Sequence, residues 1–164
     1  MHGVLATDHG GRVTRVAERD DLPAILGLLS DDAVESSRSA TQSSIEVDYW
    51  AAFEEISANP SDELVVLVSG ATGAVIGTLQ LTFIRCLNWR AGLRAQIQAV
   101  RIDESCRGAG VGSELITWAV ERARSRGCVV IQLATSKGRA SAHQFYRRLG
   151  FEPTHEGFKM RLDL

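Results

Sequence analysis

The stretch from Val100 to Ile116 constrains this chain more than any other: strand-like residues run into a turn with three glycines, and the turn opens an amphipathic helix. Within it, Arg107-Gly108-Ala109-Gly110-Val111-Gly112 offers a row of backbone N–H groups with little side chain in the way. The N-terminus of a helix carries roughly half a positive charge. Such a loop suits an anion, above all a phosphate. Two familiar phosphate loops do not fit. A Walker loop needs Gly-Lys-Ser/Thr, whereas Gly112 is followed by Ser113 and Glu114. The dinucleotide fingerprint needs a glycine where Ser113 stands and an acid at the end of the next strand, where Val130-Ile131-Gln132-Leu133 has none. A nucleotide-like ligand held in some other way is the sharp reading, and a glycine loop that only turns a corner is the bland one.

With 164 residues the chain is expected to form one domain around a single core, over residues 12–164, after a loose tail at 1–11. No apolar run approaches 18 residues, so no membrane helix is expected. The first residues lack the basic flank and apolar stretch of a signal peptide. Cys86, Cys106 and Cys128 lie far apart and read as reduced thiols, which points to the cytoplasm and to no metal site. Charge is lopsided: residues 18 to 63 hold 12 acids against Arg19 and Arg38, while from 64 onward 14 bases face 7 acids. A solvated helix face explains the acidic part blandly. The sharper reading is an acidic half toward a cationic acceptor and a basic half toward an anionic cofactor. Basic residues do not interleave with aromatics along a run, so no nucleic-acid partner is expected.

Strands and helices alternate along the chain. Arg12 to Ala17 reads as a strand, and Asp20 or Asp21 caps a helix through Leu29 with Pro23 in its first turn. A second helix fits Ile45 to Ala58. Leu64 to Val68 and Val75 to Ile84 form a hairpin across Gly70 to Gly73, the second strand alternating apolar residues with Thr78, Gln80 and Thr82. The strand Arg94 to Ile102 changes parity, which predicts a bulge near Gln98–Ala99. A helix from Gly110 to Arg126 places Val111, Leu115, Ala119 and Ala123 on one stripe. A strand Cys128 to Ala134, a helix from Arg139 to Leu149 and a last strand Phe158 to Leu162 complete the pattern.

The glycine hexapeptide matches the Arg/Gln-x-x-Gly-x-Gly/Ala signature of the GNAT superfamily of N-acetyltransferases. Downstream, Ala142-His143-Gln144-Phe145-Tyr146-Arg147-Arg148-Leu149-Gly150-Phe151 resembles that family's second motif, Ala-x-x-Phe-Tyr-x-x-x-Gly-Phe. The likeness covers roughly residues 12–164 and implies an α/β domain. Its central mixed, mostly antiparallel, twisted sheet would splay at the cofactor strand between about four helices. It implies acetyl-CoA as cosubstrate and direct transfer of acetyl to a primary amine of a small molecule. The backbone of Val100, Arg101 and Ile102 would pair with the pantetheine arm. Arg107, Gly108, Ala109, Gly110, Val111, Gly112 and Ser113 would hold the diphosphate, and Arg139, like Lys137, can approach a phosphate. Family members are often homodimers, which leaves a homodimer open.

The same resemblance gives Tyr146 the role of general acid toward the leaving thiolate, with Phe145 free to pack. A primary ammonium has a pKa of about 10, so near pH 7 about one molecule in 10³ is the neutral nucleophile, at a cost of roughly 4 kcal/mol. A base, often through water, must help. Many relatives carry an acid where Gln98 stands, and Gln98 removes no proton, so at most it positions a water. Many carry asparagine where Arg139 stands. Glu104, Glu63 and His143 are the open candidates for base. Tyr49, Trp50, Phe53 and Trp89 are candidates for lining the acceptor site. An aminoalkylphosphonate or a protein amine is the alternative acceptor, and an acyl-CoA-binding regulatory module is the alternative without turnover.

Overall fold

Gly73 takes a φ of 71° in the turn joining β3 (Asp62–Ser69) to β4 (Val75–Arg85), a backbone conformation that costs glycine little. The hairpin expected across Gly70 to Gly73 is formed, with β-type pairing from Asp62↔Thr82 to Val68↔Val75. The computed structural model describes residues 7–8, 11–30 and 42–162. Among them one sheet runs in the order β1 (Thr7–Asp8), β2 (Arg12–Val16), β3, β4, β5 (Leu93–Ile102) and β6 (Cys128–Leu133). Neighbours from β1 to β5 are antiparallel, and β6 runs parallel to β5. Thr7–Asp8 thus pairs with β2 inside the segment expected as a tail. Asp31, Asp32, Glu35 and Arg38 lie outside the described residues.

Helices cover the two faces. α1 (Leu22–Ser30) and α2 (Gln42–Ala58) bury Leu22, Ile25, Leu28 and Phe53. A single turn, α3 (Asn88–Ala91), has positive φ at Trp89, Arg90 and Ala91. α4 (Val111–Ser125) and α5 (Ala140–Arg148) lie toward the other face. There the expected stripe of Val111, Leu115, Ala119 and Ala123 packs on Val65, Leu67, Leu79, Leu81, Phe83, Ala95 and Ile97. Gly127, with φ of 72°, ends α4 in the left-handed conformation. No helix of the described residues is long and apolar enough to cross a membrane.

Two features of the sheet prepare the site. Gln80 pairs with Gln98 but Thr78 with Arg101, so β5 carries one extra residue, and Ala99 there has φ of 51°. This is the bulge the parity change predicts. Pairing of β5 with β6 ends at Ile97↔Leu133, so from Gln98 onward β5 has a strand neighbour on one side only.

The expected last strand is not formed. Residues 151–162 contain no strand, and Phe158, Met160 and Leu162 are 97%, 84% and 74% exposed. Their alternation supplies strand parity, but a strand also needs a neighbour to accept its backbone hydrogen bonds. This segment is tied instead through its side chains, Glu156 to Lys137 at 3.1 Å.

Candidate active site

The glycine turn makes an open cradle. Gly110 caps α4, and Gly108 and Gly110 both take φ of 81°. A Cβ at either would meet nothing within 4 Å, so the space over the turn is clear. The N–H groups of Arg107 and Ala109 donate to the carbonyls of Glu104 and Cys106, at 3.2 and 3.3 Å. Those two therefore shape the loop. The N–H groups of Gly110, Val111, Gly112 and Ser113 start the helix, where no intrahelical acceptor exists for them. Gly112 has a second reason to be glycine: a Cβ there would stand 3.3 Å from Cζ of Phe145 on α5. Open space, left-handed glycines and the positive end of a 15-residue helix together fit a diphosphate.

A cavity of about 660 Å³ opens where β5 and β6 part. Leu29 of α1 and Tyr49 of α2 line it, as do Gln80, Gln98, Ala99, Val100 and Arg101 of the sheet and Arg139 and Tyr146 of α5's start and body. The split therefore joins the α1/α2 face to the α4/α5 face. Gln98, Val100, Arg101, Arg139 and Tyr146, expected to act together, are brought together here. Arg101 Nη1 donates to the carbonyl of Val100 at 2.9 Å, which fixes that guanidinium along β5.

Tyr146 is half-buried between Phe145 and Phe151, whose ring centroids lie 5.1 and 5.9 Å away in edge-on contact. Burial pushes its phenol above the ordinary tyrosine value of about 10, against the pull of Arg139 and Arg101. Near neutral pH it holds its proton. A protonated phenol on the cavity wall is able to donate a hydrogen bond or a proton there.

None of the three candidate bases lines this cavity. Glu63 faces the opposite side, where its carboxylate receives Arg122 Nη2 at 2.6 Å and Arg126 Nη1 at 2.9 Å. Glu104 pairs with Arg107 at 2.7 Å in the loop, and His143 Nε2 meets the carbonyl of Ser136 at 3.0 Å. Of the four aromatic candidates only Tyr49 lines the cavity; Phe53 is core, Trp50 packs on Phe53 and under Arg19, and Trp89 is exposed. Three acids of the first half are held in ion pairs: Asp21 with Arg15 at 2.6 Å, Glu54 with Arg19 at 2.5 Å, and Glu63 with the arginines of α4's end. Charged residues lining the cavity are Arg101, Arg139 and Lys159, with no carboxylate among the described ones.

Sequence reasoning passed over a polar belt on the α1/α2 face. Thr82 Oγ1 donates to Asp62 Oδ1 at 2.6 Å, Gln98 Nε2 to Thr82 Oγ1 at 3.3 Å, and Gln132 Nε2 to Gln96 Oε1 at 2.6 Å. The signal lay in the alternation itself. Gln80, Thr82, Gln96, Gln98 and Gln132 share one face of three adjacent strands, too many uncharged polar groups for a surface that only meets water.

Comparison with known proteins identifies the family. The profile of the acetyltransferase (GNAT) family matches residues 26–151. An aminoalkylphosphonate N-acetyltransferase of Salmonella typhimurium is 32% identical over 121 residues, 71% of this chain and 76% of the relative. An L-methionine sulfoximine/L-methionine sulfone acetyltransferase of Pseudomonas paraeruginosa is 29% identical over 80% of this chain and 75% of its own. The crystal structure of a Bacillus halodurans protein described as a transcriptional regulator superposes with a TM-score of 0.85 at 40% identity, over 92% of this chain and 99% of that one.

Proposed function

The chain belongs to the GNAT acetyltransferase family and is an acyltransferase; on that premise we propose that it moves acetyl from acetyl-CoA directly to the primary amine of a small molecule that also carries an anionic group. The carrying observation is the cavity at the split in the sheet, with the phosphate cradle and Tyr146 toward one face and Leu29 and Tyr49 toward the other. Acetyl-CoA lies along β5 with its diphosphate on the start of α4, and the amine enters from the α1/α2 side. Its nitrogen bonds to the thioester carbon, an oxyanion forms, and the C–S bond then breaks. The amine's surplus proton passes to water, and Tyr146 gives its proton to the thiolate and regains one from solvent. Products are the N-acetyl amine and free CoA.

The anionic part of the acceptor is supported by the lining, which offers Arg101, Arg139 and Lys159 and no carboxylate among the described residues. An acceptor with phosphonate, phosphate or carboxylate beside its amine suits that field, whereas the acid-rich first half points the other way by composition only. The named substrates of the relatives, an aminoalkylphosphonate and methionine sulfoximine or sulfone, carry such groups. Thiol release from acetyl-CoA is the test, with aminoalkylphosphonates, amino acids, amino sugar phosphates and polyamines at equal concentration. The anionic amines are expected to lead. Preference for polyamines would overturn the anionic part, and binding of coenzyme A without thiol release from any amine would replace the enzyme by a binding module.

A further inference from the structure

We propose that Asp62, which does not touch the cavity, is a positioning residue for the acceptor amine, acting through Thr82 on Gln98 and directly on Gln80. The inference rests on the reading of the cavity as an acetyltransferase site and names what holds the nitrogen there.

The direction of each hydrogen bond fixes the roles in this chain of side chains. A carboxylate accepts and does not donate, so the 2.6 Å bond between Thr82 Oγ1 and Asp62 Oδ1 takes the single hydroxyl proton of Thr82. Thr82 can then only accept from Gln98. The atom of Gln98 within reach, at 3.3 Å, is therefore its NH2 group, and the carbonyl Oε1 is left for the cavity that Gln98 lines. Gln80, cross-strand partner of Gln98, sends its own Nε2 toward Asp62 Oδ1 at the longer distance of 3.5 Å, which leaves its Oε1 too. Asp62 is held in turn by Asn59 Nδ2 on Oδ2 at 2.6 Å, so the carboxylate is anchored from behind. One partly buried acid thus sets the orientation of two carboxamides.

The chemical consequence is specific. An amine offers N–H donors and one lone pair, and the lone pair must face the thioester carbon. Two amide oxygens accept two N–H groups without removing a proton, leaving the lone pair for attack. An NH2 group presented at the same place would instead compete for that lone pair. Gln98 therefore serves this reaction as an oriented hydrogen-bond acceptor where a water-positioning role was expected.

Steady-state kinetics with the best acceptor from the amine panel test the proposal on the full chain. Thr82→Val keeps the β-branched shape and removes the hydroxyl, freeing Gln98 to turn. It should lower kcat/KM for the amine about 10-fold, chiefly through KM, while the Kd of acetyl-CoA stays unchanged. Thr82→Ser should restore kcat/KM to within about 2-fold, since it returns the hydroxyl. Gln98→Met, at an exposed position that does not endanger folding, removes the acceptor oxygen and should cost roughly 10- to 100-fold. Parental kcat/KM in either Thr82→Val or Gln98→Met would overturn the proposal, as would a parallel loss of acetyl-CoA affinity. A parent that releases thiol with no amine removes the acetyltransferase reading itself, and this inference with it.

Discussion

Glu63 and Asp62 are adjacent on β3 and face opposite sides of the sheet. Glu63 is 8% exposed and takes Arg122 and Arg126 from the end of α4, so it pins that helix to the core. Asp62 takes Thr82, Asn59 and the distant Gln80, which itself lines the cavity. On the α4 side, the alternate residues of β3, β4 and β5 are Val65, Leu67, Leu79, Leu81, Phe83, Ala95 and Ile97, all fully or nearly fully buried. On the other side Val66 and Thr78 are also fully buried, but toward the split the face turns polar with Gln80, Thr82, Gln96 and Gln98. The difference teaches that adjacent residues of one strand can put one carboxylate on a helix and the other into a polar hydrogen-bond network, separated only by the period of two.

Tyr146→Phe should produce the largest effect, because in the proposed reaction the phenol supplies the proton for the leaving thiolate. We expect kcat to fall roughly 10²- to 10³-fold with little change in acetyl-CoA affinity; equal losses in both would make Tyr146 a packing residue and break the contrast. The pH profile carries the same prediction with a definite sign. The phenol is raised above its ordinary value, so the acid form persists through pH 10 and activity is lost only as pH rises beyond it. A fall beginning near pH 8 would contradict this.

The two carboxylates give the next test. Glu63→Gln leaves two largely buried arginines short of a charge and should cost about 3 kcal/mol in denaturant unfolding, with KM unchanged. Asp62→Asn should do the reverse, costing about 1 kcal/mol or less in stability while raising KM for the amine. If both variants lose stability alike and neither moves KM, the two faces do not differ in use. A smaller effect is expected at Gly110→Ala. Its φ of 81° makes a Cβ cost about 1 kcal/mol, and the methyl would project into the open cradle, so calorimetry should register weaker binding of coenzyme A. Smallest is Ala99→Gly, which relieves a positive φ at the bulge and should raise Tm by about 2 °C without altering the fold.

Much of this arrangement was legible in the chain. Helix α4 announced itself because its stripe, its N-terminal glycines and its terminal Gly127 are all local signals. The bulge in β5 was visible as a change of parity, since a single inserted residue flips every later side chain. The motif singled out Tyr146, which the fold places on the cavity wall. The candidate bases fared differently: Glu63, Glu104 and His143 have suitable chemistry, but each spends it elsewhere, on Arg122, Arg107 and the carbonyl of Ser136. Phe158 to Leu162 had the alternation of a strand and formed none, because alternation describes side chains and pairing is decided by a neighbour's backbone.

The sequence by itself determined the left-handed glycine turn, the helix that follows and the family to which the chain belongs, because each rests on residues contiguous along the backbone. Only the tertiary structure decided which polar side chains meet. Asp62, Thr82 and Gln98 come from three strands, and the order of donors and acceptors among them exists only once the sheet has set its register. Hydrogen-bond direction is a property of the assembled group, and no single segment of the chain contains it.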